Sequence, residues 1–189
     1  VSANVDSDAA LAKRAAQGDE RAFTALMRRH KEAVYRVARR HLGDADEAFD
    51  VVQEVFVSAW RNIARYDPER PLTTWLFRIT VNACRDRHRR RAVRSFFYRA
   101  APMDTPSSVQ VSDDSQRVED HVIDREELRR VERAIGELPE RPREAFLLYA
   151  VEGLSQAEVA DALGVSVKAV ETRVARARRL LTEMLDRET

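Results

Sequence analysis

The chain has 189 residues, 34% charged and 44% hydrophobic, with 5 Gly and 6 Pro. That balance favours long amphipathic helices over short strands joined by tight turns, and the length suits two small domains, so the expected fold is all-α. The formal net charge of +1 hides local concentrations, and the single cysteine, Cys84, excludes a disulfide framework.

No stretch approaches the roughly 20 apolar residues of a membrane span, and Val1 to Ala10 lack the basic-then-apolar order of a signal peptide, so no membrane insertion and a cytoplasmic location are expected. One basic island holds Arg85, Arg87, Arg89, Arg90, Arg91, Arg94 and Arg99; another holds Arg173, Arg176, Arg178 and Arg179. Acidic residues dominate at Asp44 to Glu54 and from Asp113 to Glu127. A protein so charged can touch nucleic acid and a second protein at once.

A short helical pattern from Asp8 to about Gln17 ends at Gly18-Asp19. In the next, Phe23, Leu26, Met27, Val34, Val37, Ala38 and Leu42 recur at three- and four-residue steps until Gly43. The third runs from about Asp46 to Tyr66, with Phe49, Val52, Val55, Phe56, Ala59, Trp60 and Ile63 as its apolar stripe. Asp67-Pro68-Glu69-Arg70-Pro71 breaks it, and Thr73 or Thr74 can cap a fourth helix that continues to about Arg91. Periodicity then fades until about Asp124, and Ala100 to Ser108 has linker composition, which divides the chain into 1–92, a flexible linker 93–124, and 125–189. Arg94-Ser95-Phe96-Phe97-Tyr98 is aromatic and basic enough to dock rather than float. Helical pattern returns at about Arg125, pauses at Leu138-Pro139 and resumes from Arg143 to Glu152.

Ser155-Gln156-Ala157-Glu158 has the form of a capping box, Gly164 suits the left-handed turn that ends a helix, and Ser166 can cap the next. This is helix-turn-helix spacing. Val167, Val170, Val174, Leu181 and Leu185 are expected inward, leaving Lys168, Glu171, Thr172, Ala175, Arg176 and Arg179 as a major-groove face. A helical hairpin with a solvated basic face is the plainer alternative.

On the third helix Asp50, Gln53, Glu54, Val57 and Arg61 share one stripe. It reads either as an ordinary solvated face or, given the valine among acids, as a protein-binding surface. The fourth helix carries Arg78, Asn82, Arg85 and Arg89 on a polar stripe, with Trp75, Leu76, Ile79 and Ala83 beside it. Cations and amides next to aromatics suit single-stranded DNA, although arginines late in a helix also answer its dipole.

The runs Ala48 to Trp60 and Arg70 to Asn82 resemble the second conserved region of extracytoplasmic-function sigma factors. Leu138-Pro139-Glu140 and Gly153 to Arg178 resemble their fourth. The resemblance implies core RNA polymerase, promoter DNA and an anti-sigma factor as partners, with no cofactor. It assigns Asp50, Gln53 and Glu54, with Val57 beside them, to the polymerase. Tyr66, Ile79 and Asn82 fall at the pocket for an extruded minus-ten base, with Arg78, Arg85 and Arg89 on nearby phosphates. Lys168, Thr172, Arg173 and Arg176 face the minus-thirty-five element, where Glu171 replaces a basic residue common in relatives. A repressor or response regulator would need a sensing or dimerising domain that 1–92 does not offer. An enzyme is disfavoured by scattered histidines (His30, His41, His88, His121) and by the want of a phosphate loop.

Overall fold

Three short polar side chains set the starts of the first three helices of the computed structural model, which describes residues 6–100 and 122–187. Ser7 accepts from the Ala10 amide before α1 (Asp8–Ala16), Asp19 from Arg21 and Ala22 before α2 (Glu20–Leu42), and Asp44 from Glu47 before α3 (Ala45–Asn62). Each satisfies amides that have no partner inside the helix. Gly43, at φ 75°, turns the chain out of α2 in a conformation that costs glycine nothing.

A 3₁₀ turn (Ile63–Arg65) and the proline-flanked loop lead to α4 (Leu72–Ala100). The four helices enclose Leu26, Val34, Val51, Val55, Ala59, Leu76 and Cys84, with Phe23 against the rings of Phe56 and Trp60.

The second half comprises α5 (Val122–Glu137), α6 (Glu140–Phe146), a π turn (Leu147–Val151), α7 (Gln156–Leu163) and α8 (Val167–Arg187). No strand occurs among the described residues. Ala134, Ile135 and Leu138 pack with Leu147, Ala177 and Leu181 to join α5 to α8. Val37, Phe77 and Val81 of the first half share a core with Ala145, Leu148, Val159, Leu163, Val170 and Val174 of the second. The two halves are therefore closed on each other through apolar contact.

Several local expectations are corrected. Phe49 turns outward at 57% exposure and packs its ring on Tyr35, while Val51 takes the buried place. The fourth helix begins at Leu72, so Thr73 and Thr74 fall in its first turn rather than at its cap, and it runs on to Ala100 instead of stopping near Arg91. The sixth begins at Glu140, ahead of the expected Arg143, with Pro139 at its N-cap. Val167 is exposed at 42%; Ala177 is the buried residue that its stripe lacked. The side chains of 95–98, the linker 101–121 and His121 lie outside the described residues.

Candidate functional site

The acidic stripe forms as expected: Asp50, Gln53, Glu54, Val57 and Arg61 all lie on the exposed side of α3. It is also partly neutralised. Arg87 of α4 reaches across to Asp50 at 3.1 Å and Glu54 at 2.7 Å. Val57, 49% exposed, and the outward Phe49 make this face apolar as well as acidic, which a purely solvated face would not need.

Between the 3₁₀ turn and α4 lies a cavity of about 240 Å³, lined by Arg65, Tyr66, Asp67, Arg70, Thr74, Trp75, Arg78 and Asp161. That is below the roughly 300 to 1,000 Å³ of drug-sized ligand sites and suits one flat ring system. Tyr66 and Trp75 meet with ring centroids 5.5 Å apart and planes tilted by 46°, and the Tyr66 hydroxyl donates to the Arg70 carbonyl at 2.5 Å. Burial, then Asp8 and Asp67, push that phenol above its ordinary value, so it stays a neutral donor. Thr74 is 3% exposed and its hydroxyl has no partner, an uncommon state for a buried polar group that a bound acceptor or donor would relieve. Of the residues expected here, Tyr66 and Arg78 line the cavity; half-buried Ile79 and exposed Asn82 lie farther along α4.

Asn82 accepts from Arg85 at 3.4 Å, and Arg89 pairs with Asp86. The main partner of Arg85 is Glu144 on α6, which accepts from Nε and Nη2 at 2.6 Å each. That hydrogen-bonded pairing raises the Arg85 guanidinium above its ordinary value. Burial pushes the Glu144 carboxyl up, but the nearby His41 and Arg85 together outweigh it and hold it below the usual glutamate range. His41 Nε2 approaches Glu144 at 3.5 Å without an aligned hydrogen bond, and the His41 and His88 rings meet at 3.3 Å between nitrogens. His30 pairs with Asp8 at 2.7 Å, so His30, His41 and His88 are helix-packing residues. Cys84 is buried in the core, its thiol pushed up to about 12 chiefly by that burial, and is inert as a nucleophile.

The C-terminal turn is built as its sequence indicates. The Ser155 amide donates to Glu158 at 2.8 Å, the Glu158 amide donates to the Ser155 hydroxyl at 3.3 Å, Gly164 sits at φ 66°, and Ser166 accepts from Ala169 at 3.2 Å. Lys168, Thr172 and Arg176 are exposed on α8, while Glu171 and Arg173 are half-buried. Lys168 is tied to Glu171 at 2.9 Å, and Arg173 holds a buried Nη1 without a partner. Sequence reasoning missed Arg87's bridging role, Thr74, Asp161 and Glu144. Arg87, Asp161 and Glu144 carry no local signal, because each acts on a residue distant in the chain, while Thr74 reads in the sequence as a helix cap.

Residues 26–94 match the sigma-70 region 2 family and residues 128–181 the sigma-70 region 4 family. The chain is 42% identical to the RNA polymerase sigma factor CnrH of Cupriavidus metallidurans, covering 97% of each chain. It is 31% identical to the ECF RNA polymerase sigma factor SigW of Bacillus subtilis, over 92% of this chain and 94% of that one. The solved structure of CnrH in complex with the cytosolic domain of CnrY superposes with a TM-score of 0.71 and 38% identity, covering 97% of this chain and 100% of that one.

Proposed function

The chain belongs to the RNA polymerase sigma factors of the extracytoplasmic-function type, transcription initiation factors that are not enzymes, and we propose how its surfaces divide the work. The first unit, with its helical boundary extended to Ala100, holds core polymerase and the minus-ten element. The second, 125–189, reads the minus-thirty-five element. Asp50, Gln53, Glu54 and Val57 dock on the polymerase, since they combine charge with exposed apolar area. The Tyr66, Thr74 and Trp75 cavity takes an extruded base, because two aromatic rings in its wall offer a flat face to stack on and the unsatisfied Thr74 hydroxyl offers a hydrogen bond. Asn82 reads a neighbouring base, and Arg78, Arg85 and Arg89 hold backbone phosphates. Lys168, Thr172, Arg173 and Arg176 face duplex DNA, with Glu171 restraining Lys168.

The observation that carries this reading is the cavity on the first unit in the same chain as a fully capped helix-turn-helix on the second. The site of action is the cytoplasm, where the polymerase is. CnrH was solved with the cytosolic domain of CnrY; this chain is proposed to have an anti-sigma partner of comparable kind. Run-off transcription with purified core polymerase on a promoter library tests the function. Footprinting with and without core separates it from a repressor: protection that appears without core and is unchanged by adding it would overturn the proposal.

A further inference from the structure

The first turns of α8 hold an ion pair that the fold does not need. Lys168 Nζ lies 2.9 Å from Glu171 Oε2, and the two side chains are 85% and 43% exposed. An exposed pair three residues apart on one helix contributes little to stability. The inner side of α8 is filled by Val170, Val174, Ala177 and Leu181 instead. Ser166 accepts from the Ala169 amide at 3.2 Å and the Thr172 hydroxyl donates to the Lys168 carbonyl at 2.9 Å, so both hydroxyls turn to the backbone and leave the pair to itself.

We propose that Lys168 and Glu171 together read a single C·G base pair of the minus-thirty-five element, Glu171 accepting from cytosine N4 and Lys168 donating to guanine O6 and N7 of the same pair. This rests on the reading of α8 as the helix that enters the major groove. A carboxylate on an otherwise cationic face is repelled by phosphates, so Glu171 suits that face only where a cation neutralises it and a base donor satisfies it. Lys168 supplies the first. Glu171 Oε2 takes the ammonium and Oε1 meets no donor among the described residues, which leaves an acceptor free for the second. Val167 and Ala175 stand four residues to either side of Glu171 in one exposed row, and neither carries a long side chain, so a base edge can reach the carboxylate.

The choice of base follows from the edges that the groove displays. Guanine presents only acceptors to a carboxylate and thymine presents O4, while adenine sets the acceptor N7 beside its amine. Cytosine offers N4 with no acceptor of its own next to it. In a C·G pair the donor at N4 lies beside the acceptors O6 and N7 of guanine, and the ion pair answers that order with an acceptor-only carboxylate beside an ammonium that donates in several directions. Glu171 is therefore a specificity-determining residue, and Lys168 reads with it rather than serving phosphates alone.

The test uses the full chain with core polymerase on a promoter library randomised through the minus-thirty-five element, with the base frequencies read from the transcribed templates. Wild type is expected to favour cytosine by about tenfold at one position. Glu171→Gln, which keeps the shape and lets the side chain pair with adenine, is expected to lose that preference in favour of adenine at the same position. Lys168→Met keeps the stem and is expected to weaken the cytosine preference there and nowhere else. Thermal melts followed by circular dichroism check that both variants fold. A wild-type profile without a favoured cytosine, or a profile that Glu171→Gln lowers evenly on every sequence, would overturn the proposal and return the pair to a solvated surface contact. A wild-type profile indifferent to the whole minus-thirty-five element would instead remove the reading of α8 on which the proposal stands.

Discussion

Arg87 on α4 donates to Glu54 on α3 across 2.7 Å, and its other arm reaches Asp50. The acidic stripe is therefore both a surface and a helix-to-helix tie. Reversing Asp50 and Glu54 to lysine would set three cations together and disturb the packing of α3 on α4, so neutral isosteres give the cleaner experiment. Asp50→Asn/Glu54→Gln is expected to keep its helical circular dichroism and lose at least about tenfold in affinity for core polymerase, about 1.4 kcal/mol. Full binding by the folded variant in a pull-down would remove this stripe from the interface.

The His88 cluster predicts acid sensitivity of the closed state. Burial, then His41 on α2 and Arg143 on α6, hold the His88 imidazole below its ordinary 6.5, with Glu140 opposing more weakly. A depressed imidazole is neutral when packed and takes up a proton when released, so stability should fall as pH drops below 6.5. Glu144 acts in the same direction at lower pH, since a depressed carboxyl contributes stability above its ordinary 4.5 that is lost as pH falls through its folded value. Thermal melts from about pH 8 to about pH 5 check this, with His88→Asn expected to flatten the upper part of the profile. An equal slope in wild type and variant would assign the titration elsewhere.

In the helix-turn-helix, Ser155→Ala removes one half of the capping box and should cost about 1 kcal/mol. Gly164→Ala should cost about 1 to 2 kcal/mol through its left-handed backbone; the added Cβ would also come within 3.7 Å of Arg78 Nη2. Denaturant melts of the full chain measure both. A stabilised Gly164→Ala variant would contradict the positive φ.

Features acting within about four residues are legible in the sequence. The Ser155–Glu158 box, the Gly43 and Gly164 stops and the polar stripe of α3 all form because their partners are one helical turn away. What escapes is long-range. Arg85 and Glu144 are 59 positions apart and Arg87 and Glu54 are 33 apart, and nothing local to any of them announces the pairing. Phe49 shows the same limit on a smaller scale. Its place at the border of the apolar stripe suits burial by period alone, but tertiary packing gives the interior to Val51 and leaves Phe49 to Tyr35. The cavity beside α4 is half-legible: Tyr66 and Trp75 are visible as aromatics near a polar helix, while Thr74 resembles a cap until the helix is seen to begin at Leu72.

Thr74 and Asn82 are expected to read different bases of the minus-ten element. They are eight residues apart on α4, about 12 Å along its axis at about 1.5 Å per residue, too far for one base to span. Their surroundings differ as well: Thr74 lines the cavity with its hydroxyl unpartnered, whereas Asn82 is exposed beside Arg85. An amide donates and accepts together and can discriminate the edge of a base on the open face, while the threonine hydroxyl can bond only what enters the cavity. Thr74→Val keeps the shape and removes the hydroxyl; Asn82→Ala removes the amide. Each should relax selectivity at one position, by about 1 to 3 kcal/mol between preferred and other bases, without weakening recognition of the minus-thirty-five element. Run-off transcription on a library randomised through the minus-ten element locates the relaxed position for each variant. Arg89→Ala is the comparison, expected to lose activity on every sequence alike because a phosphate contact carries no sequence information. Relaxation at the same position in both variants would place Asn82 and Thr74 on one base and contradict their separation. A uniform loss in Asn82→Ala would make that residue a backbone or packing contact and leave base reading to the cavity alone.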